Sequence, residues 1–83
     1  MDIIVRTAPQ LGAAVRRYRR QRKLTQEALG RKVRTRQATI SKLEAGEPGT
    51  QLRTVLDALA ALDLELVVKP RSKASVTEIE DAF

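Results

Sequence analysis

The sequence predicts a mainly α-helical fold, in which a bundle of four to five helices is followed by a single C-terminal strand. Apolar residues recur at helical spacing on both sides of a tight turn within residues 25–44. A Leu-rich stripe with the same spacing follows in residues 52–62, and a largely apolar segment, residues 64–69, ends at a proline. At 83 residues the chain has room for one hydrophobic core, so we expect these elements to form one domain.

Residues 25–44 have the pattern of a helix-turn-helix. The inward positions are Leu29 and Val33 in the first helix and Ile40 and Leu43 in the second. Two short helices that cross steeply at such a turn place the second helix where it can enter the major groove of DNA.

The charge of the chain is divided unevenly along its length. The net charge is +6, but residues 1–48 hold twelve Lys/Arg against four Asp/Glu, whereas residues 49–83 hold four against six. A basic front of this kind suits a polyanion, although solvated helix faces carry similar charge. There is no Cys or His, which excludes disulfides and the usual metal ligands and general bases. We therefore expect no cofactor, no metal and no enzymatic activity.

The second helix of the helix-turn-helix begins with small polar residues. Its outward residues are Gln37, Ala38, Thr39, Ser41 and Lys42. Gln can pair with adenine through two hydrogen bonds, Ala and the Thr methyl can contact thymine, and Ser or Lys can reach phosphate or guanine. An ordinary solvent-exposed helix face would have a similar composition. DNA binding is favoured because these residues come directly after the turn, in the basic half of the chain.

The apolar strand has no convincing partner in its own chain. An open apolar edge leaves backbone hydrogen-bonding groups unpaired, and pairing with the same strand of a second copy solves this. We expect a homodimer whose interface contains Leu64, Leu66, Val67 and Val68. A two-fold dimer also sets two recognition helices about 34 Å apart, one turn of DNA.

Four segments follow from these patterns. Residues 1–6 form an N-terminal arm, residues 7–62 the helix-turn-helix domain, residues 63–70 the dimerisation strand, and residues 71–83 a flexible tail. The tail is an inert terminus or a short motif that docks in a partner. No apolar run is long enough to span a membrane and no cleavable signal is present, so we expect a cytoplasmic protein.

From Thr25 to Gly46 the sequence resembles the Xre-type, lambda-repressor-like helix-turn-helix of phage repressors and bacterial regulators. The residues that carry the resemblance are TQEAL and RQATISKLEAG. The Leu-rich last helix and the L-x-L-x-V strand, in this order and spacing, resemble HipB-type antitoxins over residues 7–69.

The resemblance implies a bacterial, dimeric autorepressor that binds a palindromic operator and restrains a HipA-type serine/threonine kinase toxin. The implied base-reading residues are Arg36, Gln37, Ala38 and Lys42. The residues expected at the DNA backbone are Thr25, Gln26, Thr39 and Ser41, with Arg34 as an added cation beside the groove. Arg19 and Glu44 stand where related repressors bury an ion pair, and the toxin-binding residues of the tail would be Ile79 and Phe83.

Two arginines depart from the family pattern. Arg34 replaces the usual turn glycine and Arg36 the usual capping serine, which leaves the start of the second helix open by about a residue. Two alternatives to an antitoxin also remain open. One is a phage-type or restriction–modification controller repressor without a toxin partner, and the other is a protein-interaction adaptor that does not bind DNA.

Overall fold

The computed structural model describes residues 2–71, which contain four α-helices. The helices are α1 (Ala8–Gln21), α2 (Gln26–Lys32), α3 (Gln37–Glu44) and α4 (Leu52–Ala61). The prediction of a mainly helical fold built around a helix-turn-helix is thereby confirmed. No helix in this part of the chain has the length and apolar character that crossing a membrane requires.

The first two helices begin at threonine caps. Thr7 Oγ1 accepts a hydrogen bond from the Gln10 backbone N–H at 3.2 Å, and Thr25 Oγ1 accepts one from Ala28 at 3.0 Å. Such caps satisfy amides that have no partner within the helix. Thr50 is the residue type that favours an N-cap before the Leu-rich helix, but α4 begins at Leu52 and its N-cap, Gln51, makes no side-chain cap bond.

All four helices end in the same backbone motif, with one residue in the left-handed region after the C-cap. These residues are Lys23 (φ 57°), Arg34 (φ 58°), Gly46 (φ 76°) and Asp63 (φ 61°). In each case the next N–H returns to a carbonyl five residues earlier, as in Thr35 N–H to Gly30 O at 2.8 Å. Three of the four positions therefore hold a side chain where glycine fits best.

The core lies between the helices, with α3 packed against α1 and α2 and with α4 packed against α2. The buried apolar residues are Val15, Leu29, Ile40, Leu43, Val55, Ala58, Leu59 and Leu62. A side chain at Gly12 would overlap the backbone carbonyls of Leu43 and Glu44, so this glycine allows α1 to approach the end of α3. Gly30, in the middle of α2, lies against the backbone of the turn at Thr35 and not against a crossing helix.

The apolar stripe of α4 is only partly buried. Leu52 and Leu56 are exposed, at 65% and 42%, although their spacing predicts core positions. Periodicity identifies an apolar face but not which flank of that face the rest of the chain covers. Within residues 2–71, this flank of α4 is left uncovered.

Residues 64–70 have no assigned strand in a single chain. Leu64 is half-buried and packs against the core, and its N–H donates to Leu59 O at 2.8 Å. Leu66, Val67 and Val68 are exposed. A strand that pairs only with a second copy forms no ladder in one chain, so this prediction remains a prediction. The tail residues Ile79 and Phe83 lie outside the described residues.

Candidate DNA interface

The orientation of α3 follows from its two buried residues. Ile40 is fully buried and Leu43 is 3% exposed, and together they fix the roll of the helix on the core. The opposite side, which we call the outer face, consists of four exposed residues at positions i, i+1, i+4 and i+5: Gln37, Ala38, Ser41 and Lys42. The outer face thus combines a carboxamide, a methyl, a hydroxyl and a cation, the groups that pair with base edges and phosphates in a major groove.

Two arginines flank the start of α3. Arg34 is exposed in the turn, and Arg36 is the exposed N-cap of α3. The Arg36 side chain makes no cap hydrogen bond, so it does not satisfy the first amides of the helix. Both guanidinium groups are therefore carried by residues that adjoin the outer face.

A buried ion pair ties α1 to the end of α3. Arg19 Nε lies 2.6 Å from Glu44 Oε2, and Arg19 Nη2 donates to Glu44 Oε1 at 2.9 Å. The two side chains are only 9% and 3% exposed. The hydrogen bonds that Arg19 donates to Glu44 raise the pKa of Arg19 above its ordinary value, although desolvation acts in the opposite direction. The remaining guanidinium nitrogen of Arg19, Nη1, donates to the Leu24 carbonyl oxygen at 2.7 Å, and this hydrogen bond also fixes the loop before α2.

The carboxamides of Gln26 and Gln37 join this ion pair to the outer face. Gln26 Nε2 donates to Glu44 Oε1 at 3.2 Å, and Gln37 Nε2 donates to Gln26 Oε1 at 3.2 Å. The first residue of α3 is thereby connected through α2 to the buried carboxylate.

A basic cleft of about 410 Å³ lies beside this connection, between α1 and the ends of α2 and α3. Arg16, Arg20, Gln26 and Ser41 are among its lining residues. Phosphate groups suit a cleft that combines guanidinium groups with neutral donors. Arg19 and Glu44 also line the cleft, but they are engaged in their ion pair, so Arg16 and Arg20 supply the cations that an anion in the cleft would meet.

A second cleft, of about 420 Å³, lies on the other flank of α3. Thr39 and Lys42 line it from α3, Thr50 and Gln51 line it from the segment just before α4, and Thr54 lines it from α4. The sequence did not lead us to expect these last three residues at the site. Their signal was the cluster of hydroxyl and amide side chains directly after the Gly46–Gly49 loop. Thr39 and Ser41, both expected at the DNA backbone, consequently lie on opposite flanks of α3.

These features define the class of the protein. The four-helix arrangement with α3 exposed after a tight turn is that of a helix-turn-helix DNA-binding domain. A family model described as "Helix-turn-helix domain" matches residues 10–69, and the chain belongs to this family.

Solved structures narrow the class further. The chain is similar to HipB in a HipB–O4 20mer complex (30% identity, TM-score 0.79, 86% of this chain and all of that chain covered). It is equally similar to a chain of a HipA–HipB–O2–O3 complex (30% identity, TM-score 0.78, 86% and 100% covered). A HipB point variant bound to the O2 20mer gives 29% identity and a TM-score of 0.80, with 87% of this chain covered. The protein is a HipB-like helix-turn-helix protein, which confirms the resemblance inferred from the sequence.

No curated protein sequence matches the chain significantly.

Proposed function

We propose that this protein is the antitoxin of a HipBA-type toxin–antitoxin module, a dimeric autorepressor that binds operator DNA and restrains a HipA-type serine/threonine kinase. The observation that carries the proposal is the outer face of α3, which presents base-pairing groups beside two clefts that have basic or hydroxyl linings. The similarity to HipB over the whole length of that chain supports the particular function. As a bacterial regulator of this type it would act in the cytoplasm.

We propose the following roles for the DNA-contacting residues, which the resemblance to HipB-type antitoxins implies. The base-reading residues are Arg36, Gln37, Ala38 and Lys42. The residues at the DNA backbone are Thr25, Gln26, Arg34, Thr39 and Ser41. The Oγ1 of Thr25 is occupied by the helix cap, so its contact with DNA would use its hydroxyl proton.

Dimerisation is supported by apolar surface near the C-terminal end of the domain. Leu66 and Val67 are more than half exposed, Val68 is 93% exposed, and Leu52 and Leu56 of α4 are also uncovered. Burial of such a surface by a second copy would remove it from water and pair the strand edges. The dimer would hold two α3 helices about 34 Å apart, in step with a palindromic operator.

The kinase contact is assigned to the C-terminal tail. Ile79 and Phe83 would dock in the toxin, with the acidic residues between them facing basic groups of the kinase. The HipA–HipB–O2–O3 complex shows that a HipB protein and a HipA protein share one assembly, and this supports a partner of that class.

DNA binding is tested with a 20-base-pair palindromic duplex selected from a random library by the full-length protein. We expect affinity to fall steeply with salt, with a slope of log K against log salt on the order of −5 for six phosphate contacts. A flat response without sequence preference would refute DNA recognition and favour the adaptor. Sedimentation at micromolar concentration should show a dimer that Val67→Asp dissociates, and a wild-type monomer would refute the proposed interface.

The toxin partner is tested by co-purification with the product of the neighbouring gene. We expect a kinase to co-purify with the full-length chain and to be lost when residues 72–83 are removed, while operator affinity is retained. A chain that binds its operator but retains no kinase would be a controller repressor. If the truncated chain holds the kinase as well as the full-length chain does, the docking role of the tail is wrong.

A further inference from the structure

A series of hydrogen bonds runs from the buried ion pair to the first residue of α3. Glu44 Oε1 accepts from Arg19 Nη2 at 2.9 Å and from Gln26 Nε2 at 3.2 Å. Gln26 Oε1 in turn accepts from Gln37 Nε2 at 3.2 Å. Four side chains from three helices are thus connected in one order, and the last belongs to the outer face. We call this series the glutamine relay.

The direction of the relay is set at its buried end. Arg19 donates to both carboxylate oxygens of Glu44, and a carboxylate only accepts hydrogen bonds. Gln26 must therefore turn its NH2 group towards Glu44, which leaves its carbonyl oxygen on the side of α3. Gln37 must then turn an N–H towards Gln26, so neither carboxamide can rotate by half a turn without losing its partner.

The fixed carboxamide of Gln37 matches one base. One of its two N–H groups is used by Gln26, which leaves the second N–H and the oxygen Oε1 for DNA. Adenine presents an N–H donor at N6 and an acceptor at N7 in the major groove, and a Gln side chain pairs with both at once. A side chain that is already oriented avoids the ordering cost that a mobile one incurs on binding.

We propose that Glu44 is a positioning residue for base recognition. Arg19 holds the carboxylate of Glu44, and this carboxylate orients the side chain of Gln26. Gln26 in turn orients the carboxamide of Gln37, and the orientation of that carboxamide sets the preference for adenine at one base pair of the operator. The inference rests on the proposed function, because it requires Gln37 to read a base. A purely structural role of Glu44, tying α1 to α3, predicts a different result: it would weaken binding to every DNA sequence alike.

The experiment measures affinity for the selected 20-base-pair duplex, for duplexes with each base pair replaced in turn, and for a random-sequence duplex. Gln37→Ala identifies the base pair that Gln37 reads. Gln26→Met cuts the relay in the middle, and Arg19→Met with Glu44→Leu removes the ion pair without leaving one buried charge unpaired. Gln26→Met and the two ion-pair substitutions are then combined in one variant that keeps Gln37. Gln21→Met, an exposed substitution at the end of α1, is the matched control.

We expect Gln26→Met and the ion-pair variant each to reduce discrimination at the Gln37 base pair by about two- to tenfold, the range that one side chain ordered on binding accounts for. For the ion-pair variant, affinity for random DNA should equal that of the Gln21→Met control, and the salt slope should stay unchanged because no exposed cation is lost. Gln26→Met also removes a proposed contact with the DNA backbone, so it should weaken binding to every duplex in addition to its loss of discrimination. The combined variant should lose no more discrimination at the Gln37 base pair than Gln26→Met or the ion-pair variant loses alone, because both changes interrupt the same series of hydrogen bonds.

Several results would overturn the inference. If Gln37→Ala alters discrimination at no base pair, both base reading by Gln37 and the relay are wrong. If Gln37→Ala relaxes one base pair but the other variants do not, the relay alone is wrong and the proposed function stands. If the losses of discrimination from Gln26→Met and from the ion-pair variant add in the combined variant, the two changes do not act through one relay, and the inference is refuted.

A measurement without DNA keeps the inference testable if the ion-pair variant does not fold. In the NMR spectrum of the wild-type protein, the side-chain N–H protons of Gln26 should exchange with water more slowly than those of the exposed Gln21. Equal exchange rates would show that Glu44 does not hold the Gln26 carboxamide, and would overturn the proposal.

Discussion

The turn of the helix-turn-helix contains a residue that opposes folding. Arg34 follows the C-cap of α2 with φ 58°, a conformation that glycine adopts without strain. The hydrogen bonds of the turn, Arg34 N–H to Arg31 O at 3.3 Å and Thr35 N–H to Gly30 O at 2.8 Å, involve only backbone. Arg34→Gly therefore keeps the turn and relieves the strain.

The gain in stability can be worked from the backbone alone. A left-handed conformation costs an ordinary L-residue about 1–2 kcal/mol. Relieving this strain with glycine gains less than the full amount, because glycine gives the unfolded chain more conformational freedom, and losing that freedom on folding costs about 0.5–1 kcal/mol. The net gain in the free energy of unfolding is about 0.5–1 kcal/mol, which corresponds to a rise in Tm of about 2–8 °C in a domain of this size.

Arg34→Ala separates the backbone effect from the charge effect. It removes the same cation but keeps a side chain at φ 58°, so its Tm should stay close to that of the wild type. Both variants should weaken binding to operator and random duplexes alike and reduce the salt slope by about one. Thermal unfolding followed by circular dichroism and salt-dependent binding by fluorescence anisotropy measure the two effects.

Asp63→Gly is the matched control for the backbone. Asp63 has φ 61° in the same motif after α4, and its contact with Arg22 is exposed at 3.6 Å. We expect a smaller rise in Tm than for Arg34→Gly, because Asp adopts this conformation at less cost than Arg, and we expect no weaker DNA binding. If Arg34→Gly is no more stable than Arg34→Ala, the strain argument is refuted.

The remaining predictions concern the packing of α1 and the surface of α3. Gly12→Ala should destabilise the fold by about 1–3 kcal/mol or more, measured by urea unfolding, because rigid carbonyls of α3 occupy the place of the new methyl. Arg36→Ser should add about 1 kcal/mol through a new N-cap and weaken DNA binding, as read from Tm and anisotropy. Gln37→Ala should cost about 1–3 kcal/mol on the selected duplex but little on random DNA. Arg16→Ala should weaken both duplexes equally and lower the salt slope by about one; an unchanged slope would remove Arg16 from the phosphate contacts.

The helix-turn-helix was predictable because its signals are local. Leu29 and Val33, and then Ile40 and Leu43, give the period of each helix, and the threonine at position 25 caps α2. The outer face of α3 follows directly, since residues opposite a buried stripe face solvent. The resemblance to HipB added the placement of Arg19 opposite Glu44, which lie 25 positions apart in the chain.

Other features depend on contacts that a single sequence pattern does not contain. Leu52 and Leu56 share the spacing of core residues, but their exposure is decided by which helices reach that flank of α4. The close contact of Gly12 with the end of α3 was not predicted, because a glycine inside a helix does not by itself indicate which backbone segment packs against it. The bond between Gln26 and Glu44 likewise depends on how α2 and α3 meet, and it turns two ordinary polar residues into one series.

Under the proposed function, Arg34 and Arg36 make the turn less stable but add positive charge for binding to DNA. One stands where glycine would remove strain and the other where serine would cap α3, so each leaves the fold less stable than the simpler residue would. Both place a guanidinium group next to the outer face. A domain of this size has little stability to lose, so a cost of about 1–2 kcal/mol at two neighbouring positions requires a compensating gain in binding. The double variant Arg34→Gly, Arg36→Ser should therefore melt at a higher temperature than the wild type while binding DNA more weakly and with a smaller salt slope. A double variant that gains stability and keeps its full affinity would show that the two arginines do not contact phosphate.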